Sequence, residues 1–131
     1  MKRPVQGIAT DGAHSTKNGL TQYRGVDLKT GNQLFLVDIG NQTINIGEFL
    51  GVVEAAKYII ENDYSPREIY TDSITALTWF RNKRTASKKR FPELQKAEVF
   101  LRAMSVEIDT IQVHHWSNEL WGGTPADFGN K

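Results

Sequence analysis

The chain contains no cysteine. That excludes a disulfide framework, a zinc–thiolate site and a thiol nucleophile together. No apolar run approaches the roughly 20 residues of a membrane span, so no membrane partner is expected. There is also no excess of charge of either sign: 16 Lys and Arg stand against 15 Asp and Glu, a net charge of +1. Overall charge therefore announces no nucleic-acid partner. Internal repeats, low-complexity blocks and linkers are absent as well. The 131 residues are enough for one domain, 1–131, with one real core. The segment 1–7 lacks the apolar centre of a signal peptide. The expected location is the cytoplasm and the expected state a monomer.

What is present is organised as strands and helices in a definite order. Val5–Asp11 reads as a strand flanked by turn formers, and Asn18-Gly19 is a turn signal after it. Leu20–Asp27 alternates as a half-buried strand should. Lys29-Thr30-Gly31-Asn32 suits a hairpin turn, and Leu34–Ile39 follows as a third strand. Connections this short predict an antiparallel meander. Over Gly47–Glu61, the residues Phe49, Val52, Val53, Ala56, Ile59 and Ile60 recur at helical spacing. Glu68–Asp72 is a fourth strand, placed by a right-handed crossover parallel to the first. Ile74, Leu77 and Phe80 suggest a second helix. Pro92 opens a third, with Leu94, Ala97, Leu101 and Met104 on one face. Ile108–Trp116 is a fifth strand, and the tail leaves room for a short final helix. The expected fold is α/β: a five-stranded mixed sheet, three antiparallel strands plus two parallel, flanked by helices.

Two strand ends match. Thr10-Asp11-Gly12 and Thr71-Asp72-Ser73 each place an aspartate where a strand finishes. In parallel neighbours both would emerge at the carboxyl edge of the sheet, where open α/β sheets bind ligands. Taken singly, each is better explained as a turn initiator or helix cap. Their matched context distinguishes the pair. Glu48 is in register with Val52, Ala55 and Ile59 and continues the apolar stripe. The helix dipole favours a first-turn glutamate, which accounts for its place along the helix but not for its face. Asp127 is uninformative alone, since a capping or tail aspartate explains it equally well.

Four carboxylates from separate segments repel one another unless something positive lies between them. Hard oxygen ligands suit magnesium or manganese. Two such ions about 3.5–4 Å apart can hold the attacking and leaving oxygens of a phosphodiester displacement. Metal-assisted phosphoryl chemistry is the inference, with the substrate still open.

The order of elements and acids resembles the ribonuclease H family. That family carries an Asp-Glu-Asp-Asp set: the first aspartate in Thr-Asp-Gly, the glutamate opening the first helix, the second aspartate in Thr-Asp-Ser, and the last after the fifth strand. Asp11, Glu48, Asp72 and Asp127 match in order. The ending from Trp121 to Gly129 looks like that of Bacteroidetes-type members. The resemblance spans essentially the whole chain. It implies an endonuclease that hydrolyses the RNA strand of an RNA–DNA hybrid with two Mg2+ ions, for which Mn2+ can substitute. The products would carry 5′-phosphate and 3′-hydroxyl ends. Asp11 would bridge both ions, Asp127 would complete the site of the attacking water, and Glu48 and Asp72 would complete the leaving-group side.

The resemblance also implies substrate contacts. Gly12 and Asn45 match positions that read 2′-hydroxyls, the group that distinguishes RNA from DNA. Thr43 matches a contact to a phosphate of the DNA strand. Helix-entry turn chemistry is the alternative for Thr43 and Asn45. Between Arg81 and Arg90 lie six basic residues and no acidic one. Such a run is ordinarily a solvated loop. Within the family it resembles a shortened basic handle, in which Lys88, Lys89 and Arg90 would supply salt-dependent phosphate affinity. Trp79 at its root is expected to pack rather than stack on a base.

One departure stands out. Many family members carry a histidine in the loop after the fifth strand. Here 117–126 contains none, and Glu119 is the candidate stand-in. His114 and His115 are expected one toward the core and one toward solvent, and His14 in a loop. Two competing readings remain: another nuclease of the same superfamily, such as a junction resolvase or exonuclease, and a catalytically silent hybrid-binding module.

Overall fold

Short connections between the first three strands build a meander. In the computed structural model, which describes residues 2–89 and 91–128, β1 (Ile8–Ser15), β2 (Leu20–Asp27) and β3 (Gln33–Asp38) pair antiparallel. The crossover helix α1 (Ile44–Asn62) returns the chain to β4 (Glu68–Thr71), parallel to β1. Then follow α2 (Ile74–Asn82), α3 (Pro92–Ala103), a short α4 (Ser105–Ile108), β5 (Gln112–His115) parallel to β4, and α5 (Asn118–Trp121). The sheet order is β3-β2-β1-β4-β5. This is the mixed α/β sheet that the sequence predicts.

The two faces of the sheet differ. Ile8, Tyr23, Ile69 and Val113 pack with the apolar faces of α1, α2 and α3 in one large core. Helix α1 is buried along Phe49, Val52, Ala56 and Ile59, a stripe at helical spacing. Trp79 packs edge-to-face on Phe49, with centroids 5.7 Å apart. The opposite face is covered by the tail: Ala126 packs on Ala9 and Val26, and Trp116 is fully buried against Tyr70 and Trp121. Among the described residues no helix is long and apolar enough to cross a membrane.

Three elements have bounds that differ from expectation by more than one residue. β1 starts at Ile8 rather than Val5, which is exposed, and runs past Asp11 to Ser15. It continues because β2 keeps pairing with it through Ser15↔Leu20. Asp11 is therefore mid-strand, yet it still lies just past the last parallel pair, Thr10↔Thr71. Helix α1 begins at Ile44, capped by Thr43, whose Oγ1 accepts from the Ile46 amide at 3.4 Å. The last segment expected to be strand begins instead as helix. Ile108 donates to Met104 O at 2.8 Å, and β5 is limited to the four residues that β4 can pair.

Candidate active site

The register Thr10↔Thr71 puts Asp11 and Asp72 at equivalent positions at the carboxyl end of the parallel pair. Glu48 approaches from α1. Its position in the second turn removes the first-turn explanation, and α1 has no acid in its first turn. The three carboxylates converge: one oxygen from each of Asp11, Glu48 and Asp72 lies within 4.8 Å of the others. Asp11 is fully buried and Glu48 is 8% exposed. Buried like charges at this separation are costly without a counter-charge.

The backbone of Gly12 organises two of the three. Its N–H donates to Asp11 Oδ1 at 3.0 Å and to Glu48 Oε2 at 3.1 Å. Glycine is required by close approach: a Cβ here would stand 2.9 Å from Glu48 N and 3.1 Å from Gly47 C. Oxygen-only donors, close together and partly buried, fit a hard divalent cation such as Mg2+ or Mn2+. An open cleft of about 740 Å³ runs beside the cluster, lined by Gly12, His14, Lys17, Ile44, Glu48 and Phe128.

Asp127 is exposed and does not belong to the group of three. Its amide donates to Thr124 O at 2.9 Å, and its carbonyl accepts from Arg24 Nη2 at 2.8 Å. Thr43 and Asn45 are exposed at the entrance of α1, where Thr43 acts as the cap. Lys88 and Lys89 are exposed, and Lys89 Nζ donates to Asn41 O at 3.3 Å. The basic loop thus reaches the turn that leads to Thr43. Arg90 lies outside the described residues. Two other members of the run are engaged in the fold: Arg81 donates to Val113 O at 3.2 Å, and Lys83 pairs with Asp109 at 2.8 Å.

No family model matches the chain, but solved structures do. A ribonuclease H1 from the halophilic archaeon Halobacterium salinarum NRC-1 matches with a TM-score of 0.55 and 19% identity, over 87% of this chain and 86% of that one. A ribonuclease H1 isolated from compost by a metagenomic approach gives 0.57 and 20%, over 89% and 88%. Its complex with RNA/DNA hybrid gives 0.53 and 19%, over 86% of each chain. The chain has the ribonuclease H fold. Within that fold Asp11, Glu48 and Asp72 come together at the carboxyl end of the sheet, on one side of the cleft.

The histidines of this ribonuclease H fold sit differently from expectation. His14 belongs to β1 rather than a loop, and its Nδ1 lies 2.7 Å from Thr21 Oγ1. The Thr21 hydroxyl donates to Gln42 O at 2.6 Å, so it accepts from His14, and Nδ1 carries the proton. His115 is exposed as expected, but His114 is not in the core. It is half-buried on the tail side of the sheet, stacked on Tyr70 and 3.0 Å from Glu68 Oε1. After β5, Asn118 and Glu119 are both exposed, and Asn118 touches the cluster. Its Nδ2 donates to Asp72 Oδ2 at 3.2 Å. Nothing in the spacing marks Asn118, because its approach to Asp72 follows from the parallel pairing of β4 with β5 through Thr71↔His115. Arg24 carries no sequence signal either, since on an alternating strand it reads only as an exposed polar position.

Proposed function

We propose that the chain is a ribonuclease H: a divalent-metal-dependent endonuclease that hydrolyses the RNA strand of an RNA–DNA hybrid. The observation that carries this reading is the convergence of Asp11, Glu48 and Asp72 within 4.8 Å. A binding module has no use for repelling acids, two of them buried, at the edge of its sheet. The hybrid-bound state of a ribonuclease H1 with this fold supports the choice of substrate.

Asp11, Glu48 and Asp72, with Asp127 as the fourth acid, would hold two Mg2+ or Mn2+ ions. Such ions would supply charge stabilisation of the attacking and leaving oxygens. The protein's own task is orientation. The Gly12 amide fixes the facing oxygens of Asp11 and Glu48, and Asn118 fixes one oxygen of Asp72. Gly12, Thr43 and Asn45 would meet the hybrid along the cleft, with Asn45 and Gly12 reading ribose hydroxyls. Lys88, Lys89 and Arg90 would attract its phosphates. Water attacks phosphorus and the P–O3′ bond breaks, leaving a 3′-hydroxyl on one fragment and a 5′-phosphate on the other.

The test is incubation with end-labelled hybrid, single-stranded RNA, duplex RNA and duplex DNA, with Mg2+ and with chelator. Cutting confined to the RNA of the hybrid and abolished by chelator is expected. Persistence in chelator would sink the metal mechanism, and equal cutting of duplex DNA would sink the substrate. Binding to hybrid without cutting would leave a silent module.

A further inference from the structure

Among the described residues, the tail that carries Asp127 has no regular structure after α5. A carboxylate on an unsupported segment would lose much of its value as a ligand, because orientation is what the protein contributes. The structure supplies a support from an unexpected place. Arg24 is the direct cross-strand partner of Asp11, so the two side chains leave the sheet on the same face. From there its guanidinium grips three consecutive carbonyls of the tail. Nε donates to Ala126 O at 2.6 Å, and Nη2 donates to Asp127 O at 2.8 Å and to Pro125 O at 3.3 Å. The same group lies over the Phe128 ring, 5.4 Å from its centroid. Nη1 turns the other way, to Gln33 Oε1 at 3.3 Å, and fixes the roll of the fork.

We infer that Arg24 is a positioning residue for the fourth acid: it ties the backbone on both sides of Asp127 to the strand position opposite Asp11. This rests on the reading of Asp127 as a metal ligand and adds how the chain holds it there. The planar fork matters, because carbonyls spaced along a chain need several fixed donors. A lysine, with one ammonium on a flexible stem, cannot reproduce them. The Thr124 hydroxyl and carbonyl complete the turn by accepting from the Ala126 and Asp127 amides at 3.3 and 2.9 Å. Arg24 therefore holds the outside of a turn that is already internally bonded. Its removal should loosen the placement of the tail while leaving the sheet intact.

Arg24 is also a cation near a site that would take phosphates, so a direct substrate contact is the alternative to exclude. The experiment is a cycle of Arg24→Met, Asp127→Asn and the double variant, with Arg24→Lys as a charge-keeping control. Single-turnover hybrid cleavage and KM are measured with Mg2+. Amide hydrogen exchange at Thr124, Ala126, Asp127 and Phe128 is followed without metal or substrate. Arg24→Met is expected to lower turnover about 10- to 100-fold, the scale seen for residues that orient metal ligands, with KM unchanged. In the Asp127→Asn background it should cost nothing further, and Arg24→Lys should recover only part. The tail amides should exchange faster in Arg24→Met, and this readout survives even if both variants are inactive. Losses that multiply would overturn the clamp, as would unchanged tail exchange. A raised KM with a salt slope shallower by about one unit would make Arg24 a phosphate contact instead. Wild-type turnover in Asp127→Asn would overturn the reading of Asp127 itself, and with it the catalytic meaning of the clamp. Multiplied losses beside an impaired Asp127→Asn would overturn the clamp alone.

Discussion

The backbone N–H of Gly12 lies 3.1 Å from Oε2 of Glu48, and a Cβ on Gly12 would stand 2.9 Å from the amide nitrogen of that glutamate. Strand and helix therefore touch backbone to backbone at the point where two acids meet. Gly12→Ala should push the start of α1 away. It is expected to cost about 1–3 kcal/mol of stability, the usual penalty of overpacking. Hybrid cleavage should fall by about tenfold or more, as when the support of a metal ligand is removed. Thermal melting and turnover check this; a variant with wild-type values of both would show that the close approach is not a constraint.

Glu48→Gln separates charge from shape. The amide oxygen can still accept from Gly12, but one of the converging negative charges is gone. In chelator this variant should melt above the wild type, because repulsion within a partly buried cluster is relieved. Divalent cations should then stabilise it less than the wild type, which at about 100 times the dissociation constant should gain about 2.7 kcal/mol. Calorimetric melts at several Mg2+ and Mn2+ concentrations measure both effects.

Much of this site is legible in the sequence, for local reasons. The repeated Thr-Asp at the ends of two strand-like runs marks the pair Asp11 and Asp72, and the parallel register Thr10↔Thr71 is what the repetition reflects. Glu48 is legible because the helix period links it to Val52, Ala55 and Ile59, all fully buried. The boundaries are less so. β1 continues past Asp11 because β2 pairs with it, and no feature of 12–15 alone says so. Ile108 and Ile111 are both buried, which an apolar strand and the observed helical turn explain equally well. Asn118 and Arg24 are illegible because each acts on a segment far away in the chain. Arg24 holds carbonyls 101 to 103 residues further on.

Asn118 rather than Glu119 is the loop residue that should matter for turnover. Both are exposed, but it is the Asn118 amide that donates to Asp72 Oδ2, at 3.2 Å. Asn118→Ala is expected to reduce turnover about tenfold with KM unchanged, and Glu119→Ala to leave it unaltered. The reverse order in a steady-state comparison would restore Glu119 as the substitute for the absent loop histidine.

The basic loop should act through salt. Replacing Lys88, Lys89 and Arg90 with alanine is expected to raise KM and flatten its dependence on ionic strength, by about one unit of slope for each phosphate no longer neutralised. Turnover at saturating hybrid should hold. Arg81 and Lys83 are engaged with β5 and Asp109, and Lys83→Ala should change stability rather than KM. Cleavage measured at several KCl concentrations distinguishes the two groups.

The central claim is that Asp11, Glu48 and Asp72 form a metal-dependent site that cuts RNA within a hybrid. Its most direct test is the single-turnover rate of hybrid cleavage for the wild type and Asp72→Asn, each with Mg2+ and with chelator, beside a melting curve for each protein. The account predicts rapid cleavage only by the wild type with Mg2+, and a loss of about 100-fold or more in Asp72→Asn, beyond what residues one shell further from the metal produce, in a protein that remains folded. Near-equal rates for a folded Asp72→Asn, or cleavage that continues in chelator, would contradict it.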